Sequence, residues 1–138
     1  MYRIILFCIL SWAITLIGCG PRMPQLAEVE GTVSKGGKNL DDVDVQFLPD
    51  PERDNKSPMS SGITDNDGRY VQKYLENGKD GAAVGWHRVI LIDNRVYDRD
   101  NPQPSRFDYK FNLAASTPIK VEVKPGKQTI DINIDDYR

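Results

Sequence analysis

Apolar residues at every second position, with no stretch at helical spacing after the first 18 residues, limit this chain more than any other feature. Near its end Ile119, Val121 and Val123 oppose Lys120, Glu122 and Lys124. Beyond Pro125-Gly126, Ile130, Ile132 and Ile134 oppose Asp131, Asn133 and Asp135. Successive side chains of a strand point to opposite faces, so each run predicts a strand with one face on a core. The same alternation marks residues 28–34, with Val29, Gly31 and Val33 on one face, and then Val43, Val45 and Phe47 against Asp44 and Gln46. Pro49 and Pro51 end that second run, because proline donates nothing to a ladder. With turn residues between the runs, the pattern predicts an all-β sandwich.

Residues 62–70 read as a tight reversal between strands expected over 59–64 and 69–74. Asp67-Gly68 tolerates positive φ there, and Ile63 and Tyr70 are expected to point into the core. Asp65, Asp67 and Gly68 are the structural turn residues. A calcium loop does not fit them. With Gly68 at loop position 6, positions 1 and 12 fall on Ile63 and Tyr74, which cannot ligate as an EF-hand requires. No metal and no cofactor is expected. Residues 85–92 predict a further strand whose last four positions are apolar on both faces, the mark of a central strand. A short strand is expected over 109–116.

The N-terminus predicts an address. Arg3 precedes an apolar run from Ile4 to Ile17, too short for a membrane-spanning helix of about 20 residues and typical of a secretory signal. Leu16-Ile17-Gly18-Cys19 matches a bacterial lipobox, in which the cysteine thiol takes a diacylglyceryl group before cleavage. The expected organisation is a signal peptide over 1–18, a lipidated tether over 19–27 and one domain over 28–138. Removing 18 of the 138 residues leaves 120, enough for an ordinary core. Cys8 leaves with the signal, so the mature chain holds no disulfide. Loss of Arg3 leaves 17 basic against 20 acidic residues, and the absence of a basic excess argues against nucleic-acid binding.

Few residues invite catalysis. His87 is the single histidine, expected half-buried beside Val89 and Leu91, and a one-histidine zinc site without cysteine lacks ligands. No G-x-S-x-G elbow occurs, and Ser60-Ser61-Gly62 reads as a strand entering the reversal. The carboxylates sit in turns or on outward strand positions, with no pair converging on a cleft. Trp86, at a strand start, reads as core before ligand platform. Residues 93–108 form the longest stretch without periodicity, and long aperiodic loops are uncommon unless functional or disordered. Arg95, Tyr97, Arg99 and Arg106 within it are the candidate partner contacts, arginine and tyrosine being the residue types most often found at binding hot spots.

The G-x-T-D-x-D-G-x-Y motif of residues 62–70, the V-x-G-x-V of Val29, Gly31 and Val33, and the P-G turn before an alternating terminal strand together resemble the carboxypeptidase regulatory-like, or transthyretin-like, β-sandwich family. The likeness runs over most of the chain after residue 28 and is closest to the free-standing bacterial lipoproteins of that family. It implies a seven- to eight-stranded antiparallel, transthyretin-like or Ig-like sandwich without catalytic residues. The expected function is a non-enzymatic lipoprotein anchored by acyl (palmitate) chains at Cys19, serving as a structural or protein- or carbohydrate-binding module of the cell envelope. Gly20 lacks the acidic character associated with inner-membrane retention, which favours the outer membrane. The alternatives are an accessory subunit of a larger envelope complex and, ranked below it, a small hydrolase.

Overall fold

The computed structural model describes residues 23–53 and 56–138. The 1–18 leader, Cys19 and the first part of the 19–27 tether lie outside the described residues. Short strands make up the described chain: β1 (Leu26–Ala27), β2 (Val29–Lys35), β3 (Lys38–Asn39) and β4 (Val43–Pro49) come first. Then follow β5 (Ser60–Ile63), β6 (Arg69–Val71), β7 (Lys73–Tyr74), β8 (Ala82–Ala83) and β9 (Gly85–Asp93). The last three are β10 (Lys120–Val123), β11 (Gln128–Thr129) and β12 (Ile132–Asn133). The helical pieces among the described residues are short 3₁₀ turns at Pro51–Arg53, Asn94–Tyr97, Tyr109–Asn112 and Ile134–Tyr137. The fold is all-β.

Two sheets face each other across one core. The first is antiparallel throughout, in the order β10-β9-β4-β5-β7, so β9 and β4 are central as the doubly apolar run at 89–92 predicts. The second is built on β2, which pairs antiparallel with β3 and β6 and parallel with β11 and β12. Val43, Val45 and Phe47 from β4, and Val89 and Leu91 from β9, meet Val29 and Val33 from β2 and Ile132 from β12, all buried. Alternation is what fills this core. It sends every second residue inward, and the polar partners of the same strands remain outside.

The reversal at 62–70 departs from a simple hairpin. β5 pairs with β4 and β7, whereas β6 pairs with β2, so the turn hands the chain from one sheet to the other. Ile63 is 60% exposed, against the expectation that it enters the core. The register explains this: Ser60 opposes inward-facing Phe47, which places Ile63 opposite outward-facing Asp44. Asp65 organises the turn, its Oδ1 accepting from the amides of Asp67 and Arg69, both at 2.9 Å. Gly68 sits at φ +73° as the Asp-Gly pair requires, and the Asp67 carbonyl accepts from Asn39 Nδ2 at 2.8 Å. These bonds account for Asp65, Asp67 and Gly68 as turn chemistry.

The end of the chain corrects the all-antiparallel expectation, because β11 and β12 run parallel to β2. Between them the ladder is interrupted in constant register. The Ile130 carbonyl turns inward to accept from the buried Tyr70 hydroxyl, and Asp131 Oδ1 takes over the ladder by accepting from Thr32 N at 2.8 Å and its hydroxyl at 2.9 Å. Gly31 makes room for this: a Cβ there would collide with the Ile130 carbonyl. The glycine of V-x-G-x-V, the tyrosine of G-x-Y and the terminal strand therefore meet at one point.

Two further expectations change. Residues 26–27, at the end of the stretch expected as a tether, form β1, which pairs with β8 and buries Ala27. Residues 109–116 hold a 3₁₀ turn rather than a strand. Asp108 caps it by accepting from Lys110 N at 2.8 Å, and buried Phe111 packs edge-on to Phe107 with ring centroids 6.2 Å apart.

Candidate functional site

The 93–108 loop leaves the end of β9 and is closed at its base by one arginine. Arg106 donates three bonds to the Asp93 carboxylate: from its own amide at 2.9 Å, from Nε at 3.0 Å and from Nη2 at 2.7 Å. Its remaining reach goes to Asp41, where Nη1 meets Oδ1 at 2.8 Å and Nη2 meets the carbonyl at 2.6 Å. A planar guanidinium can serve two acceptors in fixed geometry at once, which an ammonium cannot. Asp93 is only 1% exposed. Burial pushes its carboxyl up, but the side-chain and backbone bonds from Arg106 outweigh burial and hold it below the ordinary carboxylate value. Arg106, singled out in the sequence as a partner contact, has its guanidinium filled by the fold itself.

Beyond the clamp the loop is ordered by its own backbone. Asn94 N donates to the Asp42 carbonyl at 3.1 Å, and Gln103 N donates to the Arg95 carbonyl at 2.9 Å. Asp98 Oδ1 accepts from the amides of Asp100 at 2.9 Å and Asn101 at 3.2 Å. On this frame Tyr97 ends the 3₁₀ turn with 64% of its surface exposed, Arg99 is exposed two residues on, and Arg95 is half-buried. A rigid, exposed tyrosine offers large contact area at small entropic cost, because little freedom remains to be lost on binding. Of the four loop residues named from the sequence, the structure leaves Tyr97 and Arg99 fully presented.

The residues that would matter to a hydrolase lie elsewhere. His87 is 1% exposed, its ring 5.8 Å from that of Phe47 and its Nδ1 3.0 Å from the Gly85 carbonyl. Burial lowers its pKa, so the imidazole is neutral at pH 7. Ser60 is equally buried. Trp86 has its face covered by the Arg53 guanidinium, 4.4 Å from the ring centroid. Among the described residues no group of three or more His, Cys, Asp or Glu is placed to hold a metal, and no helix is long and apolar enough to cross a membrane.

Two clusters escaped the sequence reading. Asp50, expected in a polar loop, is buried and accepts from Arg88 Nε at 3.1 Å, while Arg88 Nη2 meets Glu52 at 2.9 Å. Lys35 and Lys110 lie 75 positions apart in the chain and line one cleft. Neither cluster has a local signature, since each joins residues from separate elements. A cleft of about 360 Å³ also opens over β2, β6 and the terminal strand, lined by Glu30, Thr32, Asp65, Arg69, Val71 and Asp131.

No family model, no curated protein and no solved structure matches this chain.

Proposed function

We propose that this chain is a non-enzymatic, lipid-anchored protein of the bacterial envelope, and that its sheets form a transthyretin-like sandwich presenting the 93–108 loop to an envelope partner. The observation that carries the reading is the Arg106–Asp93–Asp41 clamp. It holds the loop's base shut with five hydrogen bonds while leaving Tyr97 and Arg99 in solvent. A loop held in one conformation by a charge pair at its root suits recognition, because preorganisation lowers the entropy lost on binding. The proposed likeness to carboxypeptidase regulatory-like domains rests on the three motifs, whose residues Gly31, Tyr70 and Ile130 pack together in this fold.

The anchor rests on Leu16-Ile17-Gly18-Cys19. Each buried methylene of an acyl chain contributes about 0.8 kcal/mol, and stable attachment takes at least two chains. The parent should therefore partition wholly with membranes, the outer membrane before the inner. Cys19→Ser should accumulate as unprocessed precursor or appear in the soluble fraction. Processing and fractionation like the parent would sink the lipoprotein reading.

A further inference from the structure

A cleft of about 290 Å³ opens at the other side of the loop's root, between the end of β2 and the turns Tyr109–Asn112 and Ile134–Tyr137. Two half-buried lysines face it, and neutral acceptors aim both. Lys35 Nζ donates to the Arg106 carbonyl at 2.5 Å, and Lys110 Nζ donates to the Tyr137 carbonyl at 2.9 Å. Lys110 also stands 5.1 Å from the centroid of the Phe111 ring. No carboxylate of the described residues lies within 4.0 Å of either ammonium.

The acids at the rim are engaged elsewhere. Asp108 Oδ1 caps the turn at Lys110 N, and Asp135 accepts from Gly36 N and, at 3.1 Å, from Arg138 Nη2. The carboxylates are thus bonded by backbone amides and Arg138, with the Lys35 charge also helping to hold Asp135 low, and the ammoniums are bonded by carbonyl oxygens. Each ammonium has three donors and uses one on the protein. Two ammoniums are held at a concave, partly desolvated site with donors to spare; Arg138 at the rim is paired with Asp135, and Asp108 lines the same cleft.

We propose that this cleft binds a phosphate monoester, its oxyanion between Lys35 and Lys110 and its organic body against the half-buried Tyr137. A phosphate monoester carries close to two charges at pH 7.5, because its second pKa is about 6, and offers three acceptor oxygens. That matches two ammoniums with unused donors better than a singly charged carboxylate does. The site is separate from Tyr97 and Arg99, and its occupancy does not depend on the lipid anchor.

The test is a titration of the full chain, purified in detergent, with inorganic phosphate at pH 7.5 against chloride at matched ionic strength, read by amide NMR. Saturable shifts are expected at residues 35–36, 108–111 and 134–138. Lys35→Gln with Lys110→Gln should weaken binding at least tenfold, whereas Lys120→Gln with Lys124→Gln, at exposed positions on another edge, should leave it within twofold. Unsaturable shifts, shifts centred on other residues, or equal weakening by both pairs would overturn the site. Should the first pair fail to fold, the shift map of the parent alone decides. Glycerol 3-phosphate and phosphatidate in the same micelles then separate a soluble source from a lipid one, and binding of either at these amides supports the proposal.

Discussion

Arg106→Leu is expected to cost the fold about 3 kcal/mol, because it strands the Asp93 carboxylate in a buried position. Removing one partner of a buried ion pair typically costs about 3–5 kcal/mol. The lower end applies here, since the Arg106 side chain keeps 18% of its surface in solvent while that of Asp93 keeps 1%. For a domain of this size the loss corresponds to a fall in Tm of roughly 10 °C. Asp93→Asn in the same background should recover part of it by removing the stranded charge.

The pH dependence follows from the sign of the shift. In the parent the Asp93 carboxyl is held below its ordinary 3.8, with burial opposing and the Arg106 bonds prevailing. That stabilisation is fully present above the ordinary value and disappears as pH falls through the lower folded one. In Arg106→Leu the guanidinium is gone and only the backbone amides of residues 106 and 95 still oppose burial, so the carboxyl rises, and the variant regains stability as pH falls and the carboxyl protonates. Urea midpoints at pH 7, 5 and 3 should show the gap between parent and variant narrowing towards acid. A constant gap would show that the Asp93 charge does not carry the effect.

Gly31→Ala is expected to cost about 3 kcal/mol, although it adds a single methyl group to a strand. Overpacking of a well-filled core usually costs about 1–3 kcal/mol. Here the obstacle is the Ile130 carbonyl, which is backbone and cannot swing aside as a side chain would. The terminal strand must move, and with it go the Tyr70–Ile130 bond and the Asp131 bonds to Thr32. Tyr70→Phe removes only the hydroxyl and should cost about 1 kcal/mol, the worth of one ordinary hydrogen bond. Thermal melts of the two variants give the comparison. A Gly31→Ala penalty no larger than that of Tyr70→Phe would mean the terminal strand is not locked at this point.

These two effects mark where sequence reading stopped. Alternation placed Val43, Val45, Phe47, Ile119 and Val123 in the core, because a period of two leaves one choice of face per strand. It misplaced Ile63 by one residue, since the register of β5 is set across the sheet by Phe47 and not by local pattern. The parallel return of β11 and β12 was likewise invisible, as alternation is the same in either direction. In the candidate loop, exposure of Tyr97 was readable from its charged neighbours. The commitment of Arg106 was not: it depends on Asp41, 65 residues earlier, and on Asp93 at the end of another strand. Residues 109–116 turned on Asp108, whose capping bond to Lys110 N favours a 3₁₀ turn over extension.

The claim that the clamped loop is the contact surface is tested most directly by placing a photo-crosslinking amino acid at position 97 in intact cells, with position 75 as control. Leu75 is 55% exposed and lies outside the loop, so it samples the same compartment without sharing the loop. The account predicts one discrete adduct from position 97, none from position 75, and loss of the adduct in Arg106→Leu at a temperature where that variant remains folded. No adduct at position 97, or the same adduct from both positions, would contradict it.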